Sequence, residues 1–182
     1  DSVDGVSNGN DKDVENISIK PLEFTPTRIR SYSKKDGVND SKFDPREKGY
    51  MTGVRDQESL GICWTFAGNA TLESFLKLKG YGDFDLSEEH MRWWAKDNVY
   101  GWNIGDTQGS TNETSIGYFT SWLGPKLEKD IPYNGRVTRE NGAKKPANYD
   151  SASRLPYNVT GVINVAADKT SVKNAVLKYG AV

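Results

Sequence analysis

Gln57-Glu58-Ser59-Leu60-Gly61-Ile62-Cys63-Trp64-Thr65-Phe66-Ala67 is the stretch that decides how this chain is read. Cys63 is the only cysteine, and it opens a helical pattern predicted to run to Lys79. Ala67, Leu72, Phe75 and Leu76 recur close to helical spacing, Asn69, Glu73 and Lys77 point elsewhere, and Gly80 offers a stop. Polar, Gly-containing sequence precedes the cysteine, so its thiol is expected at the helix N-terminus. There the unpaired backbone N–H groups and the helix dipole favour an anion, and a thiolate is the nucleophilic form of cysteine. Gln57, six residues upstream, carries an amide that can donate to an oxyanion beside the Cys63 backbone N–H. A lone cysteine is more commonly a small buried hydrophobe. The aromatic pair Trp64 and Phe66, suited to anchor the helix behind the thiol, argues for a catalytic cysteine here.

Gln57 to Ala67 resembles the active-site signature of papain-like cysteine peptidases, a Gln followed by Gly-x-Cys-Trp-[Ser/Ala]-Phe-[Ala/Ser]. Phe43-Asp44-Pro45-Arg46 and Gly49 to Asp56 are similar to that family's mature start, Leu86-Ser87-Glu88 to its second helix start, and Pro132-Tyr133 to its Pro-Tyr turn. Within the family, Leu86 to Trp94 and Lys126 to Asn134 most resemble clostridial cell-surface peptidases that process the surface layer. The resemblance implies an α+β papain-like fold. A helical left subdomain would be built on the helix from Cys63, followed by an incomplete β-rich right subdomain. It implies Cys63 and Gln57 as catalytic residues, Gly109 and Ser110 as backbone contacts to an extended polypeptide substrate, no cofactor and no metal. It also places the His and Asn that complete catalysis downstream of Val182, so this chain alone is expected to be essentially inactive. The missing half of the fold is then a partner, and an exposed face invites self-association.

Composition sets bounds. The chain has 182 residues, formal net charge −1, 35% hydrophobic and 27% charged residues, with no basic block and no long apolar run. Nucleic-acid binding and a membrane span are therefore not expected. With one cysteine there is no internal disulfide. Eukaryotic members of the resembled family carry a disulfide cysteine at the position of Leu60, which is expected to pack instead, pointing to a bacterial secreted or cell-surface protein.

Three segments are expected: 1–40, a leader and pro-segment remnant; 41–157, the left subdomain with a crossing loop; and 158–182, the start of the right subdomain. The first twenty residues are polar and aperiodic, Pro21 to Pro26 is restricted and extended, and Arg28, Arg30, Lys34 and Lys35 form a basic site suited to cleavage. Ser87 should cap a helix with Glu88 and Glu89 in its first turn and Met91, Trp94 and Ala95 as its apolar stripe. The single histidine, His90, falls in that turn and is expected as a surface or cap-region residue outside the catalytic set. Tyr100 to Asn112 reads as a Gly-rich functional loop, although Gln108 stands where the family has the first of two glycines. Thr114 to Leu123 reads as a third helix. Val159, Gly161, Ile163 and Val165 alternate as a strand, and Val172, Ala175, Val176 and Tyr179 form a last helical stripe.

Two other functions fit parts of this pattern. Gly-x-Cys-Trp-x-Phe-Ala also resembles the active-site stretch of transglutaminases, which are acyl transferases. Glu58, where the peptidase family has Gly, suits a non-catalytic surface-layer structural module.

Overall fold

The computed structural model describes residues 29–30, 41–96, 98, 102–136 and 144–182. In chain order the elements are β1 (Ile29–Arg30), α1 (Cys63–Leu78), α2 (Glu88–Lys96), α3 (Asn112–Thr120), β2 (Asn164–Val165) and α4 (Lys169–Tyr179). Apart from the backbone of β1, the expectations for residues 1–40 lie outside the described residues.

Helices α1, α2 and α3 pack against one another around Trp64, Met91, Trp94, Ala95, Tyr118, Phe119 and Tyr149. The alternation of apolar and polar residues expected for amphipathic helices holds only in part. In α1, Asn69 and Glu73 are buried rather than turned to solvent. The face carrying them meets the segment ahead of α2: the Asn69 amide donates to the Leu86 carbonyl and the Leu86 N–H to Glu73. In α2, residues 88 to 95 are all buried, polar ones included. Helix α2 is therefore a central strut, and its polar side chains must find partners inside the protein.

The helix boundaries follow from capping and backbone. Gly80, in a left-handed conformation at φ 74, ends α1. The Ser87 hydroxyl accepts from the His90 N–H at 3.0 Å as the N-cap of α2 and itself donates to the Ile131 carbonyl at 2.6 Å. Helix α3 starts two residues earlier than expected and stops at Thr120, because Trp122 takes a positive φ of 59 before Gly124-Pro125. Asp168 caps α4 by accepting from the Ser171 N–H at 2.9 Å.

The expected strand over 159–165 shrinks to Asn164–Val165. Val162 and Ile163 are exposed, so no core face selects the rest of the alternation. β2 pairs in parallel with β1, Ile29 opposite Asn164 and Arg30 opposite Val165. A segment upstream of the expected mature start therefore lies along the segment that opens the expected right subdomain. No helix among the described residues is long and apolar enough to cross a membrane.

Candidate active site

Cys63 is the first residue of α1, and its side chain is exposed while Ile62 before it and Trp64 after it are buried. The thiol thus stands at the rim of a helix end fixed from both sides, where backbone N–H groups are unpaired. Leu60 is 5% exposed. It packs, as expected of a residue that replaces a bridging cysteine.

Gln57 lies on the loop that delivers Cys63. Its amide donates to the Leu60 carbonyl at 2.9 Å, which curls the loop over residues 57–60. A primary amide has two N–H donors, and among the described residues nothing engages the second. The Gln57 carbonyl accepts from the Tyr133 phenol at 2.6 Å, and the Tyr133 ring meets Phe66 edge-on at 5.1 Å. Glu58 sits at φ 53, the left-handed region that glycine enters freely, with its N–H on the Asp56 carboxylate at 2.7 Å. Its side chain is exposed.

The loop leading to α3 is sewn to this one through Gly61. The Gly61 N–H donates to the Asp106 carbonyl at 2.6 Å, and its carbonyl accepts from the Gly109 N–H at 3.1 Å. A β-carbon on Gly61 would lie 2.9 Å from the Thr107 backbone, so only glycine permits the approach. Gln108 folds its side chain back to accept from the Gly105 N–H at 2.9 Å, which accounts locally for a residue other than glycine there. Gly109, at φ 67, has its N–H occupied by Gly61. The backbone groups of Ser110 have no partner among the described residues, while its hydroxyl meets that of Thr114 at 2.5 Å.

Charged residues of α2 hold the loop. Arg92, 1% exposed, pairs with Glu89 within the helix and reaches Asp106 at 2.7 Å, and Lys96 joins Asp106 at 2.8 Å. Asp106, although burial opposes its charge, has its carboxyl held below the ordinary range by these two cations. A second cluster ties the lead-in to α1 and α2: Arg55 pairs with Glu73 at 3.1 Å, Glu88 at 2.6 Å and the exposed Asp85. Burial raises the carboxyls of Glu73 and Glu88 against the pull of Arg55.

His90 is buried, not at the surface. Its ring stacks on Tyr149 at 4.2 Å and its Nδ1 meets the Tyr118 hydroxyl at 2.7 Å, so the cap position is roofed by aromatics. Burial and the nearby charges of Lys126 and Lys145 push its pKa down to about 3, leaving a neutral core imidazole. The sequence reading did not single out Arg92, Asp106 or Glu128. The only local signal for Arg92 was its i,i+3 spacing from Glu89.

A helix-borne exposed cysteine, a Gln loop before it and a loop stitched beside it define the nucleophile side of a papain-type thiol peptidase. Comparison with known proteins agrees: the family described as papain family cysteine protease matches residues 39–182. The chain belongs to that family. Cysteine proteinase 2 of Entamoeba histolytica is 32% identical over 151 residues, covering 76% of this chain and 46% of its own length. The solved cysteine protease and lectin-like domains of Cwp84, described as a surface-layer associated protein of Clostridium difficile, are 51% identical with a TM-score of 0.71, covering 79% of this chain and 32% of that one. The stem bromelain precursor, at 24% identity, TM-score 0.63, 81% of this chain and 45% of its own, shares the fold. The chain spans about half the length of the curated relatives it matches. The family match favours a peptidase over the transglutaminase-like alternative.

Proposed function

We propose that this chain supplies the nucleophile half of a cysteine endopeptidase acting on extended polypeptides at a bacterial cell surface. The observation that carries it is the exposed Cys63 at the start of α1, with Gln57 on its own loop and Ser110 across Gly61. The Cys63 thiolate would attack the scissile carbonyl carbon, and the carbonyl oxygen would take up the electron pair as an oxyanion. Gln57 and the Cys63 N–H are the donors suited to that oxygen. Collapse of the adduct expels the amine and leaves a thioester, which water then hydrolyses.

The group that takes the Cys63 proton and returns it to the departing amine must be other than His90, the chain's only histidine, which stacks in the core. We place the imidazole and its orienting Asn on polypeptide downstream of Val182. Ser110 is the better candidate for backbone pairing with substrate, since the Gly109 N–H is already spent on Gly61. The likeness to Cwp84, described as surface-layer associated, supports the surface layer as the place of action.

The experiment uses the protein at the length of its relatives. It should cleave a peptide substrate, lose this activity in Cys63→Ala, and carry an epoxysuccinyl label on Cys63 by mass spectrometry. Label on no residue, with turnover unchanged in Cys63→Ala, refutes the function. The 182-residue chain alone should alkylate at Cys63 yet show negligible turnover, because loss of the base forfeits roughly two to four powers of ten in rate.

A further inference from the structure

The Pro132-Tyr133 turn is tied at several points. The Tyr133 phenol donates to the Gln57 carbonyl at 2.6 Å, its ring rests edge-on against Phe66, and its backbone N–H donates to Glu128 Oε1 at 2.7 Å. Glu128 is itself fixed, its N–H on the Asp85 carbonyl at 2.9 Å, and Ile131 just before the turn is held by the Ser87 cap of α2. Burial raises the Tyr133 phenol well above its ordinary range, so it keeps the proton it donates. None of these groups reaches Cys63, and the mechanism above does not use them.

We infer that Glu128 is a positioning residue for the oxyanion side of the site, acting through the Tyr133 backbone and the Tyr133 phenol to set the carbonyl, and hence the amide, of Gln57. The inference rests on the reading of Gln57 as an oxyanion donor. Its second support is an orphaned pair: Glu128 Oε2 and Glu88 Oε2 are both buried with no hydrogen-bond partner. A carboxyl group used only to fill space would not leave a buried oxygen uncompensated. The charged groups facing Glu128 are Glu88 at the start of α2, Asp85 ahead of it and Arg55 on the lead-in. Burial, then the two carboxylates, push the Glu128 pKa up to about 7, with the Tyr133 N–H opposing. An ionised carboxylate accepts more strongly than a neutral one, so the hold on Tyr133 tightens as pH rises through 7.

The test is steady-state kinetics on the protein at its relatives' length, with Gln57→Ala as control. Tyr133→Phe and Glu128→Ala should each lower kcat about tenfold or more with KM nearly unchanged, since a small misplacement of one donor is felt only in the transition state. Their double variant should fall no further than the worse single, because both act on one path. Glu128→Gln keeps the acceptor for Tyr133, so it should restore kcat near neutrality and remove the pH step near 7. Losses that add in the double variant, or KM rising in step with kcat, overturn the inference. If Gln57→Ala lowers kcat while Tyr133→Phe does not, this inference alone fails. If Gln57→Ala leaves kcat unchanged, the oxyanion reading fails and takes this one with it.

Discussion

Single residues set the geometry around the thiol. Glu58 holds a left-handed backbone that costs a non-glycine residue about 1 kcal/mol. Glu58→Gly should therefore raise stability, by about 0.5 kcal/mol after the entropy of the added glycine is subtracted, as a urea midpoint will show. Gly61 works in the other sense. Gly61→Ala puts a methyl group 2.9 Å from the Thr107 backbone, and the Asp106 and Gly109 hydrogen bonds cannot both survive. We expect a loss of about 1–3 kcal/mol and a larger fall in kcat/KM than in stability. His90 gives a pH signature. An ordinary histidine titrates near 6.5, but in the fold this one is held down to about 3. Between those values the unfolded chain binds a proton that the folded one refuses, so stability falls as pH drops through that window and the effect is absent above it. Glu128, with a pKa pushed up to about 7, acts oppositely from there down to its unfolded value, which masks the slope in the natural chain. His90→Gln exposes it: its deficit against the natural chain should shrink by about 1.4 kcal/mol per pH unit below 6.5, in paired chemical melts.

At the level of elements, α2 governs the site without lining it. Arg92 joins Glu89 of its own helix to the part-buried Asp106 of the Gly109 loop. Arg92→Met leaves two carboxylates with one fewer cation, a change expected to cost about 3–5 kcal/mol and to loosen the loop before the core melts. Hydrogen exchange at the Gly61 and Gly109 amides, faster in the variant well below its unfolding midpoint, is the check. How much of this the sequence disclosed follows from what periodicity can carry. Cys63 at the first turn of α1, the Ser87 cap and the stop at Gly80 were legible because each is set by nearby residues, and the burial of Leu60 was legible through the resemblance. The burial of Asn69, Glu73 and His90 was not, since their partners Leu86, Arg55 and Tyr149 lie far along the chain. The strand expected over 159–165 survives only as Asn164–Val165 for the same reason: alternation alone cannot say whether a core waits on one side. The roles of Gly109 and Ser110 came from resemblance, whereas that of Gln57 was also readable from an amide six residues ahead of the cysteine.

For the molecule as a whole, two polar clusters hold the segments around the Cys63 loop. Arg55 with Glu73 and Glu88 fixes the lead-in, and Arg92 with Asp106 fixes the loop beyond Gly61. A protein built this way concentrates its electrostatic dependence in buried pairs, which salt screens poorly. Raising salt from 0.1 to 1 M should leave the unfolding midpoint nearly unchanged, whereas Arg55→Met should lower it by several degrees in the same scan.

Leu60 occupies the corner where a covalent crosslink would tie the two loops, and Gly61 ties them instead by two backbone hydrogen bonds. The scaffold therefore has nothing for dithiothreitol to cut. Strong reductant can keep the one thiol of the chain reduced without loosening the walls around it, and Cys63 is the one side chain an oxidant could draw into a disulfide.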